Sequence, residues 1–258
     1  MSLSGQDFTE KKSIQIVLVA TMAIMLSACS TTADQSGDYA AMDPLEDINR
    51  ATLAFNEGVD KAVMEPVTEG YRAVTPKGIR LGLRNFLRNL RSPVDLGNQV
   101  LQGDVEGATN QTARTFINTL AGFGGIVDVA EMGGIPYEPE DFGQTLATWG
   151  VGHGAYIVMP LLGPSSIRDG AGMMVDSYLD PLRLYAFNID EEHWHYTRTA
   201  AGVIDKREEL LDVIDDLRKN SFDYYAALRS AYFQNRENLV NDGDASFSSG
   251  PAIPDYDE

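Results

Sequence analysis

The chain has 258 residues and a formal net charge of −18. That length fits one large domain or two small ones, with ample chain to bury a core. Such acidity argues against a generic nucleic-acid binder, which needs a basic footprint, and it repels an anionic lipid surface except where basic groups gather locally.

The first predicted element is a leader. Lys11 and Lys12 precede an apolar run from Ile14 to Leu26, too short for a comfortable transmembrane helix. It ends in Leu26-Ser27-Ala28-Cys29, and Cys29 is the single cysteine, so no disulfide can form within the chain. Small residues before a lone cysteine resemble the bacterial lipobox. That reading makes residues 1–28 a lipoprotein signal peptide and Cys29 the lipidated first residue of the mature chain. Ser30, rather than Asp, follows the cysteine and by the same resemblance directs the protein to the outer membrane. The alternative is an ordinary signal peptide with an incidental cysteine. Residues 29–42 then read as a lipidated, flexible tether.

A helical domain is expected over residues 43–240. Asp43 is placed to cap its first helix, with Pro44 at the first helical position and Glu46 completing a capping box. Leu45, Ile48, Thr52, Phe55 and Val59 follow at helical spacing and give that helix one apolar face. Residues 77–91 carry two stripes. Ile79, Leu83, Phe86, Leu87 and Leu90 share one, while Lys77, Arg80, Arg84, Arg88 and Arg91 share a neighbouring one about a quarter-turn round, or slightly more. Arginines gathered beside an apolar face suit a helix lying in a membrane interface, its cations at phosphate level. The competing reading is a surface helix whose arginines pair with the chain's surplus carboxylates.

Ser92-Pro93 predicts a fresh helix start, running to about Gln102, and Asp104 a cap for the next, through Leu120. A short helical turn is expected near Ile126–Glu131. Residues 140–172 are the most unusual stretch: no Asp, Glu, Lys or Arg lies between Asp141 and Arg168. Gly150, Gly152, Gly154, Pro160, Gly163 and Pro164 interrupt it, so no straight helix passes through. It is either a buried loop between core helices or the wall of a lipid path, since irregular backbone at membrane depth survives only when packed in protein or lining a cavity. Helices are expected over 168–179, 191–218 and 221–238, and an acidic, disordered tail over 241–258. Strand signals are few, and the predicted fold class is all-α.

The chain offers no convincing active site. There is no Gly-x-Ser-x-Gly elbow, and the only cysteine is committed to lipid. His193 and His195 sit two apart and point different ways on a helix, unsuited to sharing a metal. His153, between glycines, reads as a polar group satisfied in a packed loop rather than as a general base. No enzyme activity, cofactor or metal is expected. Apolar walls for acyl chains and arginines for phosphate suit the handling of a phospholipid.

Several motifs together resemble the MlaA (VacJ) family of outer-membrane lipoproteins. Among them are Asp43-Pro44-Leu45-Glu46-x-x-Asn49-Arg50 with Phe55-Asn56, Asn85-Phe86-Leu87-x-Asn89-Leu90-x-x-Pro93, Asn98-x-x-Leu101-Gln102-Gly103, and Gly122-x-Gly124-Gly125-x-x-Asp128-x-Ala130. The hallmark run is Glu140-Asp141-Phe142-Gly143-Gln144-Thr145-Leu146, then Trp149-Gly150-Val151-Gly152, Pro160, and Gly163-Pro164-Ser165-Ser166-x-Arg168-Asp169. Tyr225, Arg229, Tyr232, Gln234 and Arg236 match the last helix, so the likeness covers residues 42–238 almost continuously. It departs at Gly154-Ala155, where related proteins often carry Gly-Pro.

The resemblance implies a ring-like helical domain in the inner leaflet of the outer membrane, facing the periplasm and often beside a trimeric porin. It implies that phospholipid mislocalised in the outer leaflet passes through a central amphipathic channel to a soluble periplasmic carrier, with no bond made or broken. Set against that role, Arg80, Arg84, Phe86, Leu87, Arg88 and Arg91 are the candidate lipid-interface residues. Within 122–165, Phe123, Phe142, Trp149, Tyr156, Leu161 and Leu162 are the candidates for the channel wall or gate. The rivals are a membrane-surface lipase and a structural lipoprotein that only tethers porin.

Overall fold

A computed structural model of the chain describes residues 43–241. The leader with Cys29, the tether to residue 42 and the tail from 242 lie outside the described residues. Helix α1 (Glu46–Val59) runs through a π-helical turn (Asp60–Met64) into α2 (Glu65–Val74). Helices α3 (Lys77–Gln102) and α4 (Val105–Leu120) form a long antiparallel pair, followed by short α5 (Val129–Met132) and α6 (Phe142–Thr148). A hairpin, β1 (Tyr156–Met159) and β2 (Gly163–Ser166), precedes α7 (Ile167–Leu179) and α8 (Pro181–Asn188). Helices α9 (Glu192–Glu209), α10 (Leu211–Asn220) and α11 (Tyr224–Val240) complete the described chain. The fold is all-α apart from that hairpin.

Local chemistry explains most boundaries. Asp104 accepts from the Gly107 N–H at 2.9 Å, Asp141 from Gln144 N–H at 2.9 Å, and Asp223 from Tyr225 N–H at 3.0 Å, so each caps its helix. The expected cap at Asp43 is not formed, because tertiary partners take its carboxylate. Asn49 Nδ2 donates to it at 2.9 Å, Arg229 at 2.6 Å, and the Tyr225 hydroxyl donates as well. The predicted restart at Ser92-Pro93 is also corrected: Pro93 sits inside α3. An interior proline costs about 3 kcal/mol and leaves the Asn89 carbonyl without its donor. The packing of α3 against α4 and α6 offsets it. The single helix expected over 191–218 breaks at Leu210 into α9 and α10, and α2 and α8 are further helices beyond those expected.

The hairpin was missed because its hydrogen bonds are completed by side chains of another element. β1 pairs antiparallel with β2, Tyr156 opposite Ser166 and Met159 opposite Gly163. Along its other edge lies α1, where Asn49 and Asn56 stand two helical turns apart. Asn49 donates to the Tyr156 carbonyl at 3.0 Å and accepts from the Val158 N–H at 2.8 Å. Asn56 donates to the Met159 carbonyl at 2.9 Å and accepts from the Leu161 N–H at 2.8 Å. The two side-chain amides therefore do the work of a third strand. Substituting Asn49→Ala strands a buried carbonyl and a buried N–H, each costing about 1–3 kcal/mol. We expect a loss of about 2–4 kcal/mol in a denaturant titration; a midpoint within experimental error of the wild type would refute the clamp.

The distribution of polarity is inverted relative to a water-soluble domain. Among the described residues, 23 polar or charged side chains are buried against 8 apolar ones, and 33 large apolar side chains are exposed. Water-soluble domains bury Leu, Ile and Phe and rarely bury Asp, Glu or Arg. Here the apolar cluster is small, built from Leu53, Tyr156, Val158, Tyr225 and Phe233. On α1 the polar Asn49 faces inward while Ile48 and Phe55 face out. Among the described residues no helix is long and apolar enough to cross a membrane.

Candidate functional site

The arginine stripe of α3 turns toward α9 and meets a matching stripe of acids. Arg84 Nε lies 3.1 Å from Asp205 and its Nη2 3.0 Å from Glu208; Arg88 Nη2 lies 3.2 Å from Glu209. Arg80 pairs with Glu208, which also takes Arg72 from α2 at 2.9 Å. Arg91 bonds within its own helix to Asp95 at 3.0 Å and donates to the Glu140 carbonyl at 3.0 Å. Arg80, Arg84, Arg88 and Arg91 thus each have a carboxylate partner, which favours the competing reading of a stripe paired with the chain's own acids. Glu208 is the hub, with its side chain only 5 % exposed. The signal was present in Asp205-x-x-Glu208-Glu209, whose helical spacing complements Arg80, Arg84 and Arg88. The apolar stripe does face out at Ile79 and Phe86, with Leu87 half-buried.

The uncharged stretch after Asp141 is anchored at both ends by one buried ion cluster. Arg236 of α11 holds Asp141 at 2.6 Å and donates to Asp169 at 3.1 Å; Arg168 Nε reaches Asp169 at 2.8 Å, and the Tyr232 hydroxyl donates to it too. Burial works to raise the Asp169 carboxyl, but the Arg236 charge and the Arg168 and Tyr232 bonds hold it below the usual carboxylate range. Close approach of α6 and α7 demands glycine. A Cβ at Gly172 would stand 2.4 Å from the Gly143 backbone nitrogen, and one at Gly143 would stand 2.6 Å from Asp169 Oδ1.

A second buried polar layer joins α3 to α6 and α7. Asn98 donates to Asp176 at 2.9 Å and accepts from the Thr145 hydroxyl at 2.9 Å. Gln102 and Gln144 both donate to Glu140 at 2.6 Å, and Tyr137 donates to Asp95 at 3.2 Å. Burial pushes the Asp95 carboxyl up to about 6 despite the Arg91 charge beside it. His153 meets the Phe233 ring edge-on at 5.2 Å, and its buried Nδ1 has no hydrogen-bond partner. Burial first, then the Arg168 charge, pushes it down to about 4, so it is neutral at pH 7. A general base needs an acceptor to orient its second ring nitrogen, and Nδ1 has none. His193 pairs with Glu191 at 3.1 Å, while His195 packs against Phe187.

The candidate channel residues fall at separate places. Tyr156 is fully buried among Tyr225, Tyr232 and Phe233, so it belongs to the core and not to an open wall, a correction that follows from its aromatic packing. Leu161 and Leu162 are exposed at the hairpin tip, beside a shallow apolar groove lined by Ile48, Phe55 and Pro160 of α1 and the loop. Phe142 meets Trp149 edge-on at 5.8 Å, and Trp149 donates to the Leu101 carbonyl at 3.1 Å. Phe123 projects from the turn after α4 and is 80 % exposed.

Comparison with known proteins gives one consistent result. The family model described as MlaA lipoprotein matches residues 41–239. The intermembrane phospholipid transport system lipoprotein MlaA of Escherichia coli (strain K12) is 35 % identical over 232 residues, spanning 88 % of this chain and 89 % of that protein. The protein of the same description from Haemophilus influenzae is 32 % identical over 248 residues, spanning 95 % of this chain and 97 % of its own. A solved structure described as "Structural basis for maintenance of bacterial outer membrane lipid asymmetry" superposes with a TM-score of 0.66 at 35 % identity, covering 77 % of this chain and 99 % of that one.

Proposed function

The chain belongs to the MlaA lipoprotein family, and on that premise we propose that it is an outer-membrane lipoprotein of intermembrane phospholipid transport. In this reading Cys29 carries the anchor and the domain rests in the inner leaflet, facing the periplasm. Phospholipid that strays into the outer leaflet passes through a channel in a ring-like domain and is handed to a soluble periplasmic carrier, with a trimeric porin alongside. Outer-membrane lipid asymmetry is thereby maintained, and the lipid leaves unreacted.

The observation that carries this reading is the inverted polarity of the domain. Apolar surface of this extent is costly in water, at roughly 25 cal/mol per Å², and belongs against lipid or a partner. Buried ion clusters and amide clamps supply the cohesion that a hydrophobic core supplies elsewhere. Helices in lipid are held in the same way, by polar contacts turned toward one another. Since no described helix can cross a bilayer, the domain fits a protein embedded at an interface rather than one threaded through it.

Deleting the protein should place phospholipid in the outer leaflet of intact cells, where an outer-leaflet phospholipase or a membrane-impermeant amine label detects it. An unchanged outer leaflet would refute the transport reading. Phospholipid incubated with the purified protein should be recovered intact, and free fatty acid in its place would support the lipase reading.

A further inference from the structure

Fourteen arginines lie among the described residues, and thirteen of them are ion-paired with carboxylates. Arg183 of α8 is the exception. Its guanidinium lies 5.0 Å from the centroid of the Tyr178 ring and 4.6 Å from that of Phe187. The nearby acids are not aimed at it: Asp180 is taken by Arg198 and Glu191 by His193, while Asp190 is exposed on the turn before α9 and Glu192 is exposed at its start. Beside Arg183, the His195 ring packs on Phe187 with its Nδ1 unpartnered, and burial, then the Arg183 charge, lowers its pKa from the ordinary imidazole value.

The Tyr178 ring that Arg183 covers is exposed, and exposed aromatic and apolar side chains recur along the same segment. Tyr178, Leu179, Tyr185 and Trp194 are all exposed. Tyrosine and tryptophan are favoured at the boundary between acyl chains and headgroups, where one side of the ring is apolar and the other wet. Arginine binds phosphate through a planar fork and tolerates partial desolvation better than an ammonium does. In a chain this acidic, an arginine without a carboxylate is a positive site kept open.

We propose that the end of α7, α8 and the start of α9 form a membrane-surface site at which Arg183 holds a phospholipid headgroup phosphate while the Tyr178 ring beside it sits at headgroup level. The site adds a phosphate contact apart from the arginines of α3, each of which has a carboxylate partner. The acyl region lies against Leu179, Leu184 and Ile189, which are exposed on the same segment. This inference rests on the lipid-surface reading given above.

The test is flotation of the detergent-purified full chain with two kinds of vesicle. One is made of phosphatidylethanolamine and phosphatidylglycerol, the other of digalactosyldiacylglycerol, which has no phosphate. Arg183→Gln should lower affinity for the phospholipid vesicles roughly fivefold, leave the galactolipid affinity unchanged and leave the melting temperature unchanged. Arg183→Lys should recover most of the loss. Equal affinity of Arg183→Gln and wild type for phospholipid vesicles would overturn the site alone. An equal drop on both vesicles would also overturn it, since the loss would then come from packing. Wild type that floats with neither vesicle would sink the lipid-surface reading with it.

Discussion

Replacing Glu208 with leucine is expected to cost about 3–5 kcal/mol of folding stability, the range seen when one partner of a buried ion pair is removed. Glu208 takes Arg72 at 2.9 Å, Arg84 at 3.0 Å, and Arg80. After the substitution Arg72 keeps Asp212 and Arg84 keeps Asp205, but Arg80, its side chain 17 % exposed, loses the only carboxylate it pairs with among the described residues. The stranded charge, more than the lost attraction, sets the penalty. Arg80→Met in the same molecule should therefore relieve part of it, and the double variant should lie about 1–3 kcal/mol above the sum of the singles. Strict additivity in denaturant titrations would mean that Arg80 and Glu208 are not coupled. The same pairing bears on a charge reversal at Arg84 and Arg88. Both face acids of α9, so weakened membrane seating would accompany loss of the fold, and a reversed pair as stable as wild type would contradict the pairing itself.

The α3 stripe also shows where sequence reading ends. Helical periodicity says which residues share a face, and it grouped Arg80, Arg84 and Arg88 correctly. It does not say which face meets the surroundings. The usual rule sends charges outward, and it fails where the exterior is apolar, so Ile79 and Phe86 look out while the arginines look in. The caps at Asp104 and the broken stretch after Asp141 were legible because they depend on neighbours in sequence. Asp43 was misread as a cap because Asn49, Tyr225 and Arg229, which claim its carboxylate, are brought to it only by folding. The hairpin was illegible for a similar reason: Asn49 and Asn56 carry the pairing from a helix, and no strand pattern records it. Asp180-Pro181, by contrast, was a readable start for α8, with Asp180 accepting from the Leu182 N–H at 3.0 Å.

At Phe123 the backbone and the proposed membrane seating make opposite demands, and that conflict allows fold and function to be separated. Phe123 sits at φ 54°, followed by Gly124 at 76° and Gly125 at 95°. Bulky side chains avoid that region, at roughly 1–2 kcal/mol. The turn is nonetheless pinned: Asn89 donates to the Gly124 carbonyl at 3.2 Å, and a Cβ at Gly125 would stand 2.4 Å from the Cβ of Asn89. Asparagine tolerates the left-handed region better than phenylalanine, so Phe123→Asn should leave the melting temperature unchanged or raise it. Yet Phe123 is 80 % exposed and Leu120, one turn earlier, is 81 % exposed. If both side chains enter lipid, each contributes about 1.5–3 kcal/mol to seating. The pair Leu120→Gln with Phe123→Asn should then cut vesicle affinity about a hundredfold or more and abolish transport in cells, with the fold intact. A pair that melts early but floats like wild type would show the reverse, that these side chains serve the fold and that the lipid meets another face. Phe123 shares this turn with exposed Leu120, Ile126 and Val127, so the double variant tests the whole apolar patch and not a single side chain.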